Sequence, residues 1–325
     1  MNDLLERVRQ GDLRVIARAI TQVENEEEGA RRYVGALHPY TGSAHLIGVT
    51  GPPGCGKSTL VNELVKRIHS SGQKVAVVAV DPSSPFSGGS FLGDRVRMSE
   101  MATREGVFVR SMASRGSLGG LSVATAAVTK ILDAAGYELI IVETVGTGQA
   151  EVDIASLAHT ILVVEAPGGG DDVQANKAGI LEIADILVVN KMDRPGAENT
   201  VRALEMMVRF GHPSQRFDSQ LERHHSPSQS AAHSCDEPET AAWEVPVLQT
   251  NAREGLGVDE LMLVINDHYT YLRHSGEWER REFEHTRREI DGLLQHRVLS
   301  QLKDTAAETQ KEALVGAVAK REIAP

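Results

Sequence analysis

The sequence predicts an α/β fold with a mostly parallel central sheet flanked by helices, and three features predict it. From Leu46 onward, short apolar runs rich in β-branched residues alternate with longer segments of helical period. The runs are apolar throughout rather than alternately polar, as strands covered on both faces are. The first of them runs straight into a glycine-rich turn that opens onto a helical pattern, the strand–turn–helix order of a βα unit.

The elements follow in order. Asn2 to Tyr40 is polar and helical in pattern, with Asp12 and Asn25 as helix caps, and residues 1–42 read as an N-terminal helical cap. Strands are expected at Leu46–Thr50, Lys74–Val80, Val107–Arg110, Glu138–Val142, Thr160–Glu165 and Ile186–Val189, with a seventh at Pro246–Gln249. Ser71-Gly72 marks the end of the helix that starts at Lys57. His212 to Trp243 is rich in Ser, His, Gln and Glu, and reads as a flexible insertion that adds nothing to a core. After Leu261 a long helical pattern repeats Phe283, Ile290, Leu294, Val298 and Leu302 on one stripe. That stripe needs a partner, either its own domain or a second subunit. The expected layout is therefore the cap, a nucleotide-binding domain over 43–267, and a helical arm over 268–325.

A chain of 325 residues, 41% hydrophobic and 24% charged, can bury a substantial core. Its 34 basic against 45 acidic residues give a net charge of −11, which disfavours nucleic acid as an electrostatic partner. Two cysteines, Cys55 and Cys235, are too few for a disulfide framework and fit a reducing compartment. No apolar run approaches the roughly 18 residues of a membrane span. The charged first ten residues do not resemble a signal peptide. A cytoplasmic protein with no membrane partner is expected.

The chemistry begins at Gly51-Pro-Pro-Gly-Cys-Gly-Lys-Ser58, a full GxxxxGK[ST] motif between a strand and a helix, so the fold expected is that of a P-loop NTPase. A glycine-rich turn serving only as a connector would not need the lysine and serine. Gly51, Pro52, Pro53, Gly54, Cys55 and Gly56 form the turn whose N–H groups cradle the β-phosphate. Lys57 reaches the β and γ oxygens, and Ser58, beside Thr59, offers an oxygen to Mg²⁺. The strand ending near Val142 leads into Glu143-Thr-Val-Gly146, placing an acidic residue toward the metal and the Gly146 N–H toward the γ-phosphate. Most such sites carry Asp there; a Glu standing alone would be an ordinary solvated loop residue. Asn190-Lys-Met-Asp193 follows the next strand, at the carboxyl end where open sheets bind ligands. A buried Asp193 accepts guanine N1–H and N2–H₂, donors that adenine lacks, while Asn190 and the Lys191 stem hold the ring. Thr250-Asn251-Ala252 offers a backbone N–H to guanine O6, with Asn251 where Ser is commoner. The residue after Gly146 is Thr147 rather than a water-orienting Gln, and Gln149 lies two further on, so slow intrinsic turnover is expected.

Together, Asp81-Pro-Ser-Ser84, Gly88 to Arg95, Ser114 to Gly120, Glu143 to Gln149 and Pro167 to Gly179, with Ala17 to Glu24 near the start, resemble the MeaB/ArgK family over nearly the whole chain. That family comprises GTPase chaperones of adenosylcobalamin-dependent acyl-CoA mutases, and includes the human methylmalonic aciduria type A protein. The resemblance implies a homodimer, joined by the C-terminal arm, that binds a mutase and couples GTP hydrolysis to cofactor loading and protection, so that adenosylcobalamin enters only through the partner. It also implies that Asp81, Asp94 and Glu143 surround Mg²⁺, that Gly88 to Asp94 is a switch loop, and that Lys177 contacts the mutase or stabilises transition-state charge. As an unpaired surface lysine, Lys177 would do neither. A nickel-insertion GTPase would need soft or imidazole ligands near its switches, and no Cys-x-x-Cys appears. A small-molecule kinase or transport ATPase conflicts with Asn190 to Asp193. His224, His225, His233 and Cys235 are irregularly spaced in a polar stretch and read as solvated residues rather than as a metal site.

Overall fold

Seven strands form one sheet in the computed structural model, which describes residues 2–25, 27, 29–81, 103–113, 123–144, 154–168, 182–210, 242–305, 315, 317–319 and 321. They are β1 (His45–Thr50), β2 (Val75–Asp81), β3 (Val107–Ala113), β4 (Leu139–Thr144), β5 (Thr160–Glu165), β6 (Ile186–Asn190) and β7 (Val247–Thr250). Their order is β3-β2-β4-β1-β5-β6-β7, and every neighbouring pair is parallel. All seven expected strands are present. Five of them end further along than their apolar runs suggested, and in β4 and β6 the parallel ladder continues through polar candidate residues: Glu143 pairs in register with Val49 and Ala79, and Asn190 with Thr250. Both candidate residues therefore sit on strands rather than in loops.

Consecutive residues of the central strands point into two separate cores, which is why the runs are apolar without alternation. Ala76, Val78, Ile140, Val142, Val163 and Val189 join one core with helices α1 (Asn2–Arg9), α2 (Leu13–Glu24), α3 (Ala30–Leu37), α5 (Val123–Ala134) and α6 (Ala197–Phe210). Val75, Val77, Ile47, Val49, Ile141, Val164 and Val188 join the other with α4 (Lys57–Ser70) and α7 (Val258–Ser275). The N-terminal helices are thus part of the first core. Asp12 caps α2 by accepting from the Arg14 and Val15 N–H groups, and Arg110 of β3 pairs with Glu24 at the helix's far end.

At the amino ends of β1, β5 and β6 lies a buried polar network. Asp185 accepts from both terminal nitrogens of Arg281 at 2.8 and 2.7 Å and from the Ile161 N–H at 2.9 Å, with His268 Nε2 at 3.4 Å. The Thr160 hydroxyl bridges His268 Nδ1 and His45 Nε2. Burial would raise the Asp185 carboxyl, but the Arg281 guanidinium and His268 hold it far below the usual carboxylate range. Trp243 donates its indole N–H to Asp185 O and packs on the second core. The expectation that nothing in His212–Trp243 contributes to a core is corrected at this residue, whose flat ring has a partner in His268 at 4.7 Å. Residues 211–241 lie outside the described residues.

The chain divides into two compact units, Met1–Arg281 and Glu282–Pro325. The helix α8 (Glu277–Thr305) supplies most of the described part of the second. On it Phe283, Ile290, Leu294 and Val298 are 68%, 52%, 57% and 55% exposed, so the apolar stripe is open to a partner. The side chain of Leu302 lies outside the described residues. Among the described residues no helix is long and apolar enough to cross a membrane.

Candidate functional site

The site forms at the carboxyl ends of β1, β4, β6 and β7, around the turn between β1 and α4. Gly56 precedes α4 in a left-handed conformation (φ +102°), and no side chain caps the helix. Its first N–H groups are left for an anion held in the turn. Lys57 is 6% exposed, and its ammonium donates to Gly51 O at 2.7 Å and Pro52 O at 3.0 Å. The lysine is thus folded over its own loop. The Cys55 side chain is buried beneath the turn, and burial pushes its thiol up, away from the reactive thiolate.

Ser58, in the first turn of α4, donates its hydroxyl to Glu143 Oε1 at 2.6 Å. Glu143 is 5% exposed, and the next residue, Thr144, donates to the Thr50 hydroxyl at 3.0 Å, tying the ends of β4 and β1 together. A hydroxyl and a carboxylate in contact form a hard oxygen pair of the kind Mg²⁺ takes, so these residues fit that ion. Asp81 closes β2, which lies between β3 and β4 in the sheet; its side chain lies outside the described residues. Asp94, Gly146 and Lys177 lie outside them altogether, as do Thr147, Gln149 and the segment 88–94.

The candidate base-reading residues converge on the same turn. Asn190 is 2% exposed; its amide nitrogen donates to Cys55 O at 2.9 Å, and its oxygen accepts from the Ala252 N–H at 3.0 Å and the Thr250 hydroxyl at 3.2 Å. One side chain therefore joins the phosphate turn to the loop after β7. The Ala252 N–H expected to meet guanine O6 is already at this junction. Asn251 is buried, and its N–H donates to Leu256 O. Lys191 holds a left-handed backbone (φ +60°), rare for a residue with a side chain, and its ammonium donates to Gly54 O. Asp193 differs from expectation. It is exposed rather than buried, because the turn it occupies lies beyond the end of β6.

Sequence reasoning missed the cross-links. Asn190 to Cys55 O and Lys191 to Gly54 O span 135 and 137 residues and end on backbone carbonyls, which no residue pattern marks. The Asn190 cross-link requires a glycine at 56, where a Cβ would lie 2.3 Å from Asn190 Nδ2.

The chain is similar to known proteins over most of its length. A family profile described as "Methylmalonyl Co-A mutase-associated GTPase MeaB" matches residues 16–307. A putative GTPase of Pyrococcus abyssi is 41% identical over 325 residues, covering 100% of this chain and 93% of that protein. The GTPase ArgK of Escherichia coli is 37% identical over 277 residues, covering 84% and 77%. The mitochondrial methylmalonic aciduria type A homolog of Mus musculus is 30% identical over 257 residues, covering 79% and 57%. A crystal structure described as an LAO/AO transport system kinase superposes with a TM-score of 0.68 at 27% identity, covering 100% of this chain and 93% of that one.

Proposed function

The chain belongs to the family of methylmalonyl-CoA mutase-associated GTPases, and from that premise we propose that it serves as the GTP-hydrolysing chaperone of an adenosylcobalamin-dependent acyl-CoA mutase. That it is a P-loop GTPase follows from the family and the fold. The client and the roles of individual residues are our reading. The observation that carries the client is the family match along residues 16–307, which reaches well beyond the phosphate-binding turn.

In this reading the Gly51–Thr59 segment and the amino end of α4 bind the phosphates through backbone N–H groups, with Gly146 behind the γ-phosphate. Lys57 leaves the carbonyls of Gly51 and Pro52 for the β and γ oxygens, exchanging neutral acceptors for charged ones and so gaining strength. Ser58 and Glu143, with Asp81 and Asp94, hold Mg²⁺, which when bound supplies positive charge against the phosphate oxygens. Asn190, Lys191 and Asp193 grip the base together with Thr250, Asn251 and Ala252. Lys177 stabilises transition-state charge or contacts the mutase. The open stripe Phe283, Ile290, Leu294 and Val298 pairs with a second copy to give a homodimer. Adenosylcobalamin belongs to the mutase, and the compartment is the cytoplasm.

The test is protection of a candidate mutase during turnover. With this chain and GTP the mutase should keep its activity as inactive cofactor is exchanged, and with Lys57→Ala it should not. Identical decay with and without the chain, for every such mutase tried, would remove the chaperone role.

A further inference from the structure

Base recognition requires the loop after β7 to stand at a fixed height above the phosphate turn, and that loop is attached to the sheet through a short edge strand, Val247–Thr250, and through its Ala252 N–H, which Asn190 of β6 accepts. Within itself the loop is tight. Asn251 N–H donates to Leu256 O at 3.0 Å, Leu256 N–H returns the bond to Asn251 O at 3.2 Å, and Glu254 N–H also reaches Asn251 O. A loop so closed moves as one piece, and what matters is where it is fastened.

A second side chain, from helix α4, fastens its far end. Arg67 leaves the last turns of α4, the helix that begins with Lys57 and Ser58, and spreads its guanidinium over three residues. Nη2 donates to Gly255 O at 2.8 Å, Nε to Asp259 Oδ1 at 2.7 Å, and Nη1 to Glu63 Oε2 at 2.9 Å. The approach is close: a Cβ on Gly255 would sit 3.0 Å from Nη2, at a φ of +74°. Glu63 holds the guanidinium from its own helix, one turn back, while Gly255 and Asp259 lie on either side of the start of α7. A planar fork with several fixed donors suits this bridging task, and a single ammonium does not.

We propose that Arg67 is a positioning residue for base recognition: it locks the 251–257 loop to helix α4 and thereby sets the height of the Ala252 N–H above the phosphate turn. The inference rests on the reading of Ala252 as the group that meets guanine O6, its N–H turning from Asn190 Oδ1 to the base. Arg67 lies ten residues, about 15 Å of helix, beyond Lys57, too far along α4 to act on the phosphates. Its effect should fall on bases with an oxygen at position 6, whether or not they carry the 2-amino group that Asp193 reads.

The test compares binding of GDP, IDP and ADP, with GTP turnover, in the full chain and in Arg67→Ala, Arg67→Lys and Asp259→Ala. Asp259 is an exposed surface carboxylate, so that variant keeps the test open if Arg67→Ala melts early. Arg67→Ala should weaken GDP and IDP alike by about tenfold, the scale of one charge-assisted hydrogen bond, leaving the GDP:IDP ratio, ADP binding and kcat within twofold. Arg67→Lys and Asp259→Ala should show the same signature more weakly. GDP binding unchanged in Arg67→Ala and Asp259→Ala would overturn the inference, and so would a loss shared equally by ADP, which marks general damage. If the unaltered chain fails to prefer GDP over ADP, the guanine reading itself falls, a result separate from any effect of Arg67.

Discussion

Replacing Gly56 with alanine puts a methyl carbon 2.3 Å from Asn190 Nδ2, so the amide must retreat by about 1.1 Å to reach ordinary contact at 3.4 Å. That retreat breaks its 2.9 Å bond to Cys55 O, a loss of about 1 kcal/mol. The φ of +102° adds about 1–2 kcal/mol of strain for a residue with a Cβ. The unliganded chain can relax part of this by shifting the turn, but nucleotide binding requires the original geometry and must undo the relaxation. At about 1.4 kcal/mol per factor of ten, affinity for GDP should fall roughly 10- to 100-fold. Gly54→Ala provides the control, since its Cβ meets nothing within 4 Å and only the φ of +77° is strained, so its loss should be several-fold smaller. Titration with a fluorescent GDP analogue, alongside a thermal melt, measures both. Gly56→Ala binding within twofold of the unaltered chain would refute the claim that Asn190 couples the base-reading segment to the phosphate turn.

Lys57→Ala should abolish GTP hydrolysis while leaving the fold intact, as followed by phosphate release and circular dichroism; normal turnover would place the chemistry elsewhere. Asp193→Asn should shift preference from GTP toward xanthosine triphosphate, whose 2-carbonyl pairs with the new amide, and competition binding reads this directly. Asp185→Asn should destabilise the fold by about 3 kcal/mol, at the low end for breaking a buried ion pair because Arg281 keeps some access to water. In a melt of a chain this long, this corresponds to a Tm lower by about 4–5 °C. The Asp185 carboxyl is depressed in the folded state, so its contribution is present above the unfolded carboxylate value near pH 4 and is lost as pH falls below it. The stability gap between wild type and Asp185→Asn should therefore be constant above about pH 5 and shrink in acid; a gap that widens in acid would contradict the assignment.

The strands were legible because burial on both faces leaves a plain mark, an unbroken apolar run, and the runs at Thr160–Glu165 and Ile186–Val189 were placed within a residue of their observed bounds. The site was legible where chemistry demands one residue type at a fixed spacing, as from Gly51 to Ser58, and the contact between Ser58 and Glu143 follows from where α4 begins and β4 ends. Glu143 and Asn190 as strand residues were not legible, since backbone pairing continues through any side chain the register admits. Nor were Asn190 on Cys55 O or Arg67 on Gly255 O, because a bond from a side chain to a distant carbonyl leaves no period in the sequence. Trp243 was hidden by its neighbours: a polar composition describes a stretch on average and says nothing of one aromatic at its end.

The most direct measurement is GTP and ATP hydrolysis by the purified chain, alone and with a candidate adenosylcobalamin-dependent acyl-CoA mutase. The account predicts slow turnover of GTP, little of ATP, and acceleration of the GTP reaction when the mutase is added. GTP turnover indifferent to every such mutase would contradict the proposed client, and a preference for ATP would contradict the base site itself.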